Sequence, residues 1–339
     1  MALTSAYTKS YILDFQFSSW YPKFRDVSIK STIIKPLGQD FCDYLNADGI
    51  FVPRGSENES SGVSELVEEE EESEDEDDLG KQYSFPELDA KIRECISEYG
   101  GAVFPKLNFS SPKDASWILP ASSPMKCTSP AEIYMLLKSS DFVNHDLDPD
   151  FVFEGCEAQT ESEEDPYQLE LVLRKWYHME RNREMRCFVR ENKLIGICQR
   201  DSNYYDFLNE AETKTQISNA IETFWKSKIK PRWVSSSDYV FDVLLTRDLN
   251  RAHVLDFNPF ATRTDPLLFT YEELEDLRTR SQERPLLRVI DSRSHPAANA
   301  NSPANQHNMV PFEALSMSSG RNIHEFADLW EESIKESMH

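Results

Sequence analysis

Residues 239–245 read Tyr-Val-Phe-Asp-Val-Leu-Leu, and residues 253–260 read His-Val-Leu-Asp-Phe-Asn-Pro-Phe. Two apolar runs on either side of a short polar segment are typical of an antiparallel β-hairpin, here with a three-residue loop. In the register that this loop predicts, Asp242 lies directly opposite Asp256. Asn258 points to the same face as Asp256, because side chains alternate along a strand. The neighbours on that face are apolar, so water would do little to relieve repulsion between carboxylates whose Cβ atoms are about 5 Å apart.

These oxygen atoms on a buried sheet face are unfavourable unless a hard cation binds them. Mg²⁺ prefers such ligands and commonly bridges protein carboxylates to the phosphates of a nucleotide. We therefore expect Asp242, Asp256 and Asn258 to hold Mg²⁺ beside a nucleotide. The alternative is a pair of ordinary surface aspartates on a hairpin. Without a ligand, replacing either aspartate by alanine is expected to raise thermal stability by removing the repulsion.

Length, charge and cysteine content limit the class of protein. The 339 residues, 39% of them hydrophobic, are enough for two domains or one two-lobed unit. A net charge of −24 argues against nucleic acid or an anionic membrane as a partner. No apolar run reaches the length of a membrane span, and six cysteines without a C-x-x-C pair indicate reduced thiols. We expect a soluble, monomeric protein of the cytosol or nucleus, and assign it to the cytoplasm.

Composition divides the chain into three parts. Residues 1–165 are expected to form an N-terminal lobe with a disordered acidic insertion at about 55–80, where like charges cannot build a core. Residues 166–290 are expected to form a C-terminal lobe that carries the hairpin. Residues 291–339 predict a flexible linker and then a short terminal helix.

Several basic residues precede the hairpin and could meet the charge of a nucleotide. Any one of them alone is more often a solvated surface charge, but together with the hairpin they favour a phosphate site. A short polar loop from Ser110 to Asp114 is able to lie over phosphates, and the strand segment 169–176 offers backbone groups to the edge of an adenine. The basic candidates are Lys106, Lys113, Arg174, Lys175, Arg186 and Arg200.

Familiar nucleotide motifs are absent from the sequence. There is no G-x-x-x-x-G-K-[ST] of a P-loop, and no G-x-G-x-x-G or H-R-D of a protein kinase. The remaining order is a lysine, a covering loop, strands with arginines, and then Asp and Asp-x-Asn. This order resembles the ATP-grasp fold, an α+β architecture in which two lobes with antiparallel sheets enclose Mg-ATP.

At higher detail the chain resembles the cell division cycle protein 123 family. The matching segments lie in order over about 17 to 275 and include Phe-Ser-Ser-Trp-Tyr-Pro-Lys-Phe from residue 17 and Asp-Phe-Asn-Pro-Phe from residue 256. The other matching segments are 104–108, 111–115, 137–142, 171–176, 184–189, 193–201 and 265–270.

This resemblance implies an ATP-binding chaperone that assembles eukaryotic translation initiation factor two. Such a protein binds the gamma subunit of the factor and promotes joining of its alpha subunit, which supports translation initiation and cell cycle progression. The resemblance also implies that Lys106 contacts phosphate, that Asp242, Asp256 and Asn258 hold Mg²⁺, and that residues 171–175 form the adenine hinge. The full set of expected ATP contacts is Lys106, Asn108, Ser111, Lys113, Asp114, Val172, Leu173, Arg174, Lys175, Arg186 and Arg200.

Two further expectations concern the partner and the chemistry. Phe17, Trp20 and Tyr21 could be interface anchors, because aromatic side chains dominate many binding surfaces; the alternative is that they belong to the core. No catalytic residue is assigned. The alternative function is an ATP-grasp ligase that forms an acyl phosphate on a carboxylate substrate, although fold alone does not determine function.

Overall fold

The computed structural model describes residues 7–57, 83–120, 122–157, 167–280, 284–296 and 298. Residues 58–80 of the predicted acidic insertion lie outside the described residues, as do the predicted terminal helix and nearly all of the linker before it. Within the described ranges, no helix is both long and apolar enough to cross a membrane.

Nine α-helices and eight strands are found in the described ranges. The helices are α1 (Lys9–Leu13), α2 (Phe17–Phe24), α3 (Gln39–Asn46), α4 (Pro86–Glu98), α5 (Pro130–Lys138), α6 (Asp141–Leu147), α7 (Pro149–Val152), α8 (Ala211–Phe224) and α9 (Tyr271–Thr279). The strands are β1 (Ser31–Ile34), β2 (Val103–Lys106), β3 (Leu171–Lys175), β4 (Glu184–Arg190), β5 (Lys193–Gln199), β6 (Tyr239–Leu245), β7 (Ala252–Pro259) and β8 (Leu286–Arg288).

The smaller of two sheets has three antiparallel strands in the order β1-β3-β2. Helices α3, α4 and α5 share an apolar core with Leu171 and Leu173 of the central strand. Local sequence sets the ends of these helices. Pro86 occupies the first turn of α4, where its missing N–H is harmless, and Ser129 caps α5 by accepting a hydrogen bond from the Glu132 amide at 3.3 Å.

The larger sheet has five strands in the order β7-β6-β4-β5-β8. Its pairs are antiparallel except that β8 runs parallel to β5. One face of the sheet packs against α2 and α8, and part of the other face packs against α9. The predicted α+β class with two sheets is confirmed.

The two sheets take strands and helices from both sides of residue 165. Strand β3 lies in the small sheet, although it follows that position in the chain. Helix α2 packs against β7 of the large sheet, where the rings of Trp20 and Phe257 lie 5.3 Å apart. The division of the chain into lobes at this residue stays a prediction.

The hairpin of β6 and β7 pairs Asp242 with Asp256, as predicted, but the loop and the strand β7 differ from the prediction. Its turn closes with the Thr246 amide donating to the Arg251 carbonyl at 2.9 Å, which leaves a loop one residue longer than the predicted three. A bulge at Leu255 then absorbs this extra residue and restores the predicted register at the aspartates.

The aromatic side chains of α2 belong to the core. Phe17 and Trp20 are 0% exposed and Tyr21 is 5% exposed. The prediction that they are interface anchors is therefore wrong, because an anchor must present its ring to the partner. Their spacing fits a helix with one buried face, and the alternative weighed from the sequence, that they form core, is the one observed.

Candidate ligand-binding cleft between the two sheets

A cleft of about 610 Å³ opens between the two sheets. The small sheet contributes Phe104 and Arg174 to its lining, and the large sheet contributes Glu184, Asp242 and Asp256. Its volume is within the range of roughly 300–1,000 Å³ that is usual for small-molecule sites. The cleft is therefore large enough for a nucleotide.

Asp242 is held by two arginines on the floor of the cleft. It is 2% exposed, and its carboxylate accepts two hydrogen bonds from Arg186, each at 2.8 Å, and one from Nε of Arg200 at 3.0 Å. Burial alone would raise the pKa of Asp242, but the charges of the two arginines and the hydrogen bonds from Arg186 lower it well below its usual range. The carboxylate is thus ionised and already neutralised.

Asp256 has a different cation. Nζ of Lys106 donates to Oδ2 of Asp256 at 3.0 Å and also donates to the Phe109 carbonyl. Lys106 is fully buried, whereas Asp256 is partly open to the cleft. Lys106 therefore meets the cleft through this carboxylate rather than directly, which differs from the expected phosphate contact. Together with the arginines on Asp242, it removes the predicted repulsion between the two aspartates.

Arg174 is a buried cation without a carboxylate. It is 4% exposed, its guanidinium group lies over the rings of Phe17 and Phe104, and NH1 donates to the Leu255 carbonyl at 2.8 Å. That carbonyl belongs to the bulge, where the strand ladder leaves it without a partner strand residue. Among the described residues, Nε and NH2 of Arg174 have no hydrogen-bond partner, and burial lowers the pKa of Arg174 to about 10. Burying such donors without a partner is costly, and an anion bound in the cleft would lower that cost.

Lys113 and Ser111 reach the cleft from the loop that follows β2. The walls of the cleft surround Lys113 without closing it off from solvent. Desolvation, and next the positive charge of Arg200, lower the pKa of Lys113 to about 8. Nearby carboxylates, including Asp242 and Asp256, oppose that shift. The lowered pKa of Lys113 thus reflects mainly the loss of hydration.

The side chains of the cleft carry a net positive charge. Six basic and four acidic side chains lie in the lining or bond directly to it, an excess of two positive charges among the described residues. The basic ones are Lys106, Lys113, Arg174, Arg181, Arg186 and Arg200, and the acidic ones are Glu184, Asp201, Asp242 and Asp256. Such a cleft attracts anions although the chain as a whole is acidic.

The expected metal ligands are brought close along the hairpin, but they do not form a preformed metal cage. Within the described residues, no group of three or more His, Cys, Asp or Glu is arranged to hold a metal ion. The set here has two carboxylates and the amide of Asn258, whose Nδ2 is buried without a partner. Because Asp242 is already neutralised, these residues fit Mg²⁺ that arrives with phosphate better than a free ion.

Several expected ATP contacts lie elsewhere. Asn108 is fully buried and holds the backbone of residues 168 and 170, with Nδ2 to Gln168 O at 2.8 Å and the Glu170 amide to Oδ1 at 2.9 Å. Asp114 turns away to α6. Val172 and Leu173 are buried core, Lys175 lies over the ring of Tyr177, and Arg186 bonds to Asp242 and to the Asp265 carbonyl. None of these six side chains lines the cleft, and their contact with ATP stays a prediction.

The predicted adenine hinge, residues 171–175, coincides with strand β3 and stays a prediction. Strand β3 is the central strand of its sheet, so neighbours on both sides use its backbone groups from residue 171 to 175. Trp176, Tyr177, His178 and Met179, which follow the strand, line the cleft instead. Sequence reasoning missed them, although three aromatic rings and a methionine in a row were a visible signal of a nonpolar surface.

Two sheets that enclose a nucleotide-sized cleft with surplus positive charge define an α+β protein with a site for a small anionic ligand. The D123 family model matches residues 20–318, so the chain belongs to the D123 family. The protein from Schizosaccharomyces pombe named "Translation initiation factor eIF2 assembly protein" is 38% identical over 99% of both chains. The protein of the same name from Xenopus tropicalis is 38% identical over 94% of this chain and 95% of its own.

A solved structure agrees with these relatives. The structure of Cdc123 from Schizosaccharomyces pombe has a TM-score of 0.69 and 38% sequence identity to this chain. It covers 85% of this chain, and all of that structure is matched. The resemblance found in the sequence is thereby confirmed.

Proposed function

We propose that the cleft binds Mg-ATP and that the protein uses this nucleotide to help assemble eIF2. The observation that best supports a nucleotide is the environment of Arg174. Its Nε and NH2 are buried and charged, lie beside the open cleft, and have no hydrogen-bond partner among the described residues. An anion bound in the cleft would supply that partner. A triphosphate carries about four negative charges at neutral pH. The two surplus positive charges of the cleft and one Mg²⁺ would balance them.

In this proposal residues of the hairpin would hold the Mg²⁺ that accompanies the phosphates. Asp256 is the main ligand, because its carboxylate is partly open and holds only one cation, Lys106. Asp242 and Asn258 complete the ligand set on the same sheet face. Bound Mg²⁺ would supply charge neutralisation and fix the orientation of the phosphates.

The base of the nucleotide lies against the segment after β3. The lining here includes Met125, Trp176, Tyr177 and Met179, which offer the apolar and aromatic surface that a purine ring needs. Trp176 is fixed by its indole N–H, which donates to the Pro124 carbonyl at 3.2 Å. The backbone beyond residue 176 has left the small sheet and is available to hydrogen-bond the edge of adenine.

The relatives support the cellular role. Proteins that match this chain over nearly its whole length are named eIF2 assembly proteins. We propose that this chain binds the gamma subunit of eIF2 as a monomer in the cytoplasm and promotes joining of the alpha subunit. Translation initiation and, through it, cell cycle progression would depend on this step.

Calorimetric titration of ATP, with and without Mg²⁺, tests the nucleotide site. Arg174→Met should leave the fold intact and weaken ATP binding by about 10- to 100-fold, because a hydrogen bond to a charged group contributes roughly 1.5–3 kcal/mol. Arg232→Met is the matched control, since Arg232 pairs with the exposed Asp26 outside the cleft. Equal affinities of wild type and Arg174→Met would refute the proposal that this guanidinium group binds the ligand.

Reconstitution of eIF2 from separate subunits tests the role in assembly. The yield of the complex between the alpha and gamma subunits should rise when wild-type protein and Mg-ATP are added, and Arg174→Met should raise it less. An unchanged yield with wild-type protein that binds ATP normally would refute the assembly role and leave the nucleotide site standing.

A further inference from the structure

The loop that brings Ser111 and Lys113 into the cleft is tied at both ends to a single short helix, α6. Residues 109 and 110 bond to Asp146 near the end of this helix, and Asp114 bonds to its beginning. The helix itself contributes no residue to the lining of the cleft. It is therefore placed to fix the loop without touching a ligand.

The tie at Asp146 is the stronger one. Asp146 is fully buried, and its Oδ2 accepts hydrogen bonds from the amides of Phe109 and Ser110, both at 2.8 Å. Its Oδ1 accepts from the Ser110 hydroxyl, also at 2.8 Å. The backbone carbonyl of Asp146 accepts from the Tyr167 hydroxyl at 2.8 Å, which holds this end of the helix in place. Three bonds to one buried carboxylate define a single position for the start of the loop.

The position of residue 109 also affects the cleft, because residue 109 is hydrogen-bonded to Lys106. The Phe109 carbonyl accepts a hydrogen bond from Nζ of Lys106, and the same Nζ donates to Asp256 at 3.0 Å. A continuous set of hydrogen bonds thus runs from Asp146 through residue 109 and Lys106 to a carboxylate in the lining. If residue 109 moved, Lys106 would lose one of its two acceptors.

The second tie sets the other end of the loop. Oδ1 of Asp114 accepts from the Ser140 hydroxyl at 2.5 Å, and Oδ2 accepts from the Phe142 amide at 3.3 Å. Ser140 and Phe142 lie at the start of α6. Lys113, next to Asp114, is therefore held between two fixed points on the same helix.

We propose that α6 acts as a clamp on the cleft, with Asp146 and Asp114 as positioning residues for Lys106 and Lys113. The inference rests on the proposed function, since it concerns how tightly the same site retains Mg-ATP. Residues that orient direct ligand-binding groups typically change affinity by 10- to 100-fold when they are replaced. Because the loop lies over the bound phosphates, its release should act mainly on the dissociation rate.

The test compares Asp146→Ala and Ser140→Ala with Asp141→Ala, which changes an exposed carboxylate on the same helix. Stopped-flow binding of a fluorescent ATP analogue with Mg²⁺ gives both rate constants, and hydrogen exchange reports on residues 109–116 without ligand. We expect dissociation about 10-fold faster or more in Asp146→Ala, a smaller acceleration in Ser140→Ala, faster exchange in the loop, and no change in Asp141→Ala. Asp146→Asn keeps one acceptor oxygen, which can accept from both amides, and should therefore retain more affinity than Asp146→Ala.

Several outcomes would overturn the inference. Folded Asp146→Ala and Ser140→Ala proteins with wild-type dissociation rates would show that the clamp does not act on the ligand. A lower melting temperature with unchanged binding would show that Asp146 is only structural. Should Asp146→Ala fail to fold, Ser140→Ala decides alone, because it removes only one hydrogen bond between the helix and the loop. Wild-type protein that binds no ATP would refute the proposed function itself, a result distinct from all of these.

Discussion

Replacing Asp242 by asparagine is expected to destabilise the protein strongly. The side chain is 2% exposed and receives three charge-assisted hydrogen bonds, two from Arg186 and one from Arg200. Asparagine keeps the volume but removes the negative charge, so the guanidinium group of Arg186 would stay buried without a counter-charge. Repulsion from Asp256 would also disappear, but Lys106 already balances that carboxylate.

Removing one partner of a buried ion pair typically costs about 3–5 kcal/mol. For a protein of this size such a loss lowers the melting temperature on the order of 10 °C. The matched control is Asp26→Asn, because Asp26 binds Arg232 with the same two-pronged geometry, at 2.6 and 3.0 Å, but is 59% exposed. An exposed pair contributes at most about 1 kcal/mol.

The pH dependence follows from the direction of the pKa shift. Burial raises the pKa of Asp242, but the arginines lower it further, so its net folded pKa lies below the unfolded value of about 3.9. A group with a lowered folded pKa contributes stability above its unfolded pKa and loses that contribution as the pH falls below it. The difference between wild type and Asp242→Asn should therefore be full at pH 7 and shrink below about pH 4.

Urea unfolding of wild type, Asp242→Asn and Asp26→Asn at pH 7 and at pH 3 measures these differences. A free energy of unfolding of Asp242→Asn at pH 7 equal to or above that of wild type would refute the reasoning. It would mean that repulsion between the paired aspartates outweighs the bonds to the arginines, which is the expectation from the sequence alone.

Three further predictions follow from single contacts. Lys106→Met should destabilise the protein by about 1–3 kcal/mol in urea unfolding, because Asp256 loses its partner but keeps some contact with water; a gain in stability would contradict this. With a pKa of about 8, Lys113 loses its charge between pH 7 and pH 9, so ATP affinity measured by calorimetry should fall over that range. Lys113→Met should bind weakly at every pH, and an equally steep pH dependence in this variant would assign the effect to another group. Trp20→Ala should cost about 3–5 kcal/mol, whereas Trp117→Ala, at a residue 68% exposed, should change thermal unfolding little; similar effects would disprove the burial of α2.

The hairpin shows how much of the site the sequence could predict. Alternating apolar residues and the turn between them located both strands, and they paired Asp242 with Asp256. The bulge at Leu255 was not visible in the pattern, because it compensates a loop that is one residue longer than predicted. This bulge matters for the site, since it frees the carbonyl that fixes Arg174.

Whether the backbone of the predicted adenine hinge is free to bind a base depends on strand order, which is a property of tertiary structure. An apolar strand from Leu171 to Lys175 reads the same whether it lies at the edge or at the centre of a sheet. Pairing with β1 and β2 places it at the centre and occupies its backbone groups. The first free backbone therefore begins after Trp176. For the same reason the aromatic residues of α2 could not be assigned to core or interface before the large sheet beneath them was known.

For the same reason, two opposed aspartates in the sequence are not enough to predict a metal site. From the hairpin alone, a metal ion was the natural relief for two opposed carboxylates on an apolar face. The fold supplies cations from strands distant in the chain: Arg186 lies opposite Asp242 on β4, and Lys106 reaches Asp256 from β2. These cations stabilise the face without metal, so the opposed aspartates by themselves are not evidence of Mg²⁺. Arg174 supports a nucleotide site instead, because the fold buries it and gives it no ion pair with a carboxylate among the described residues.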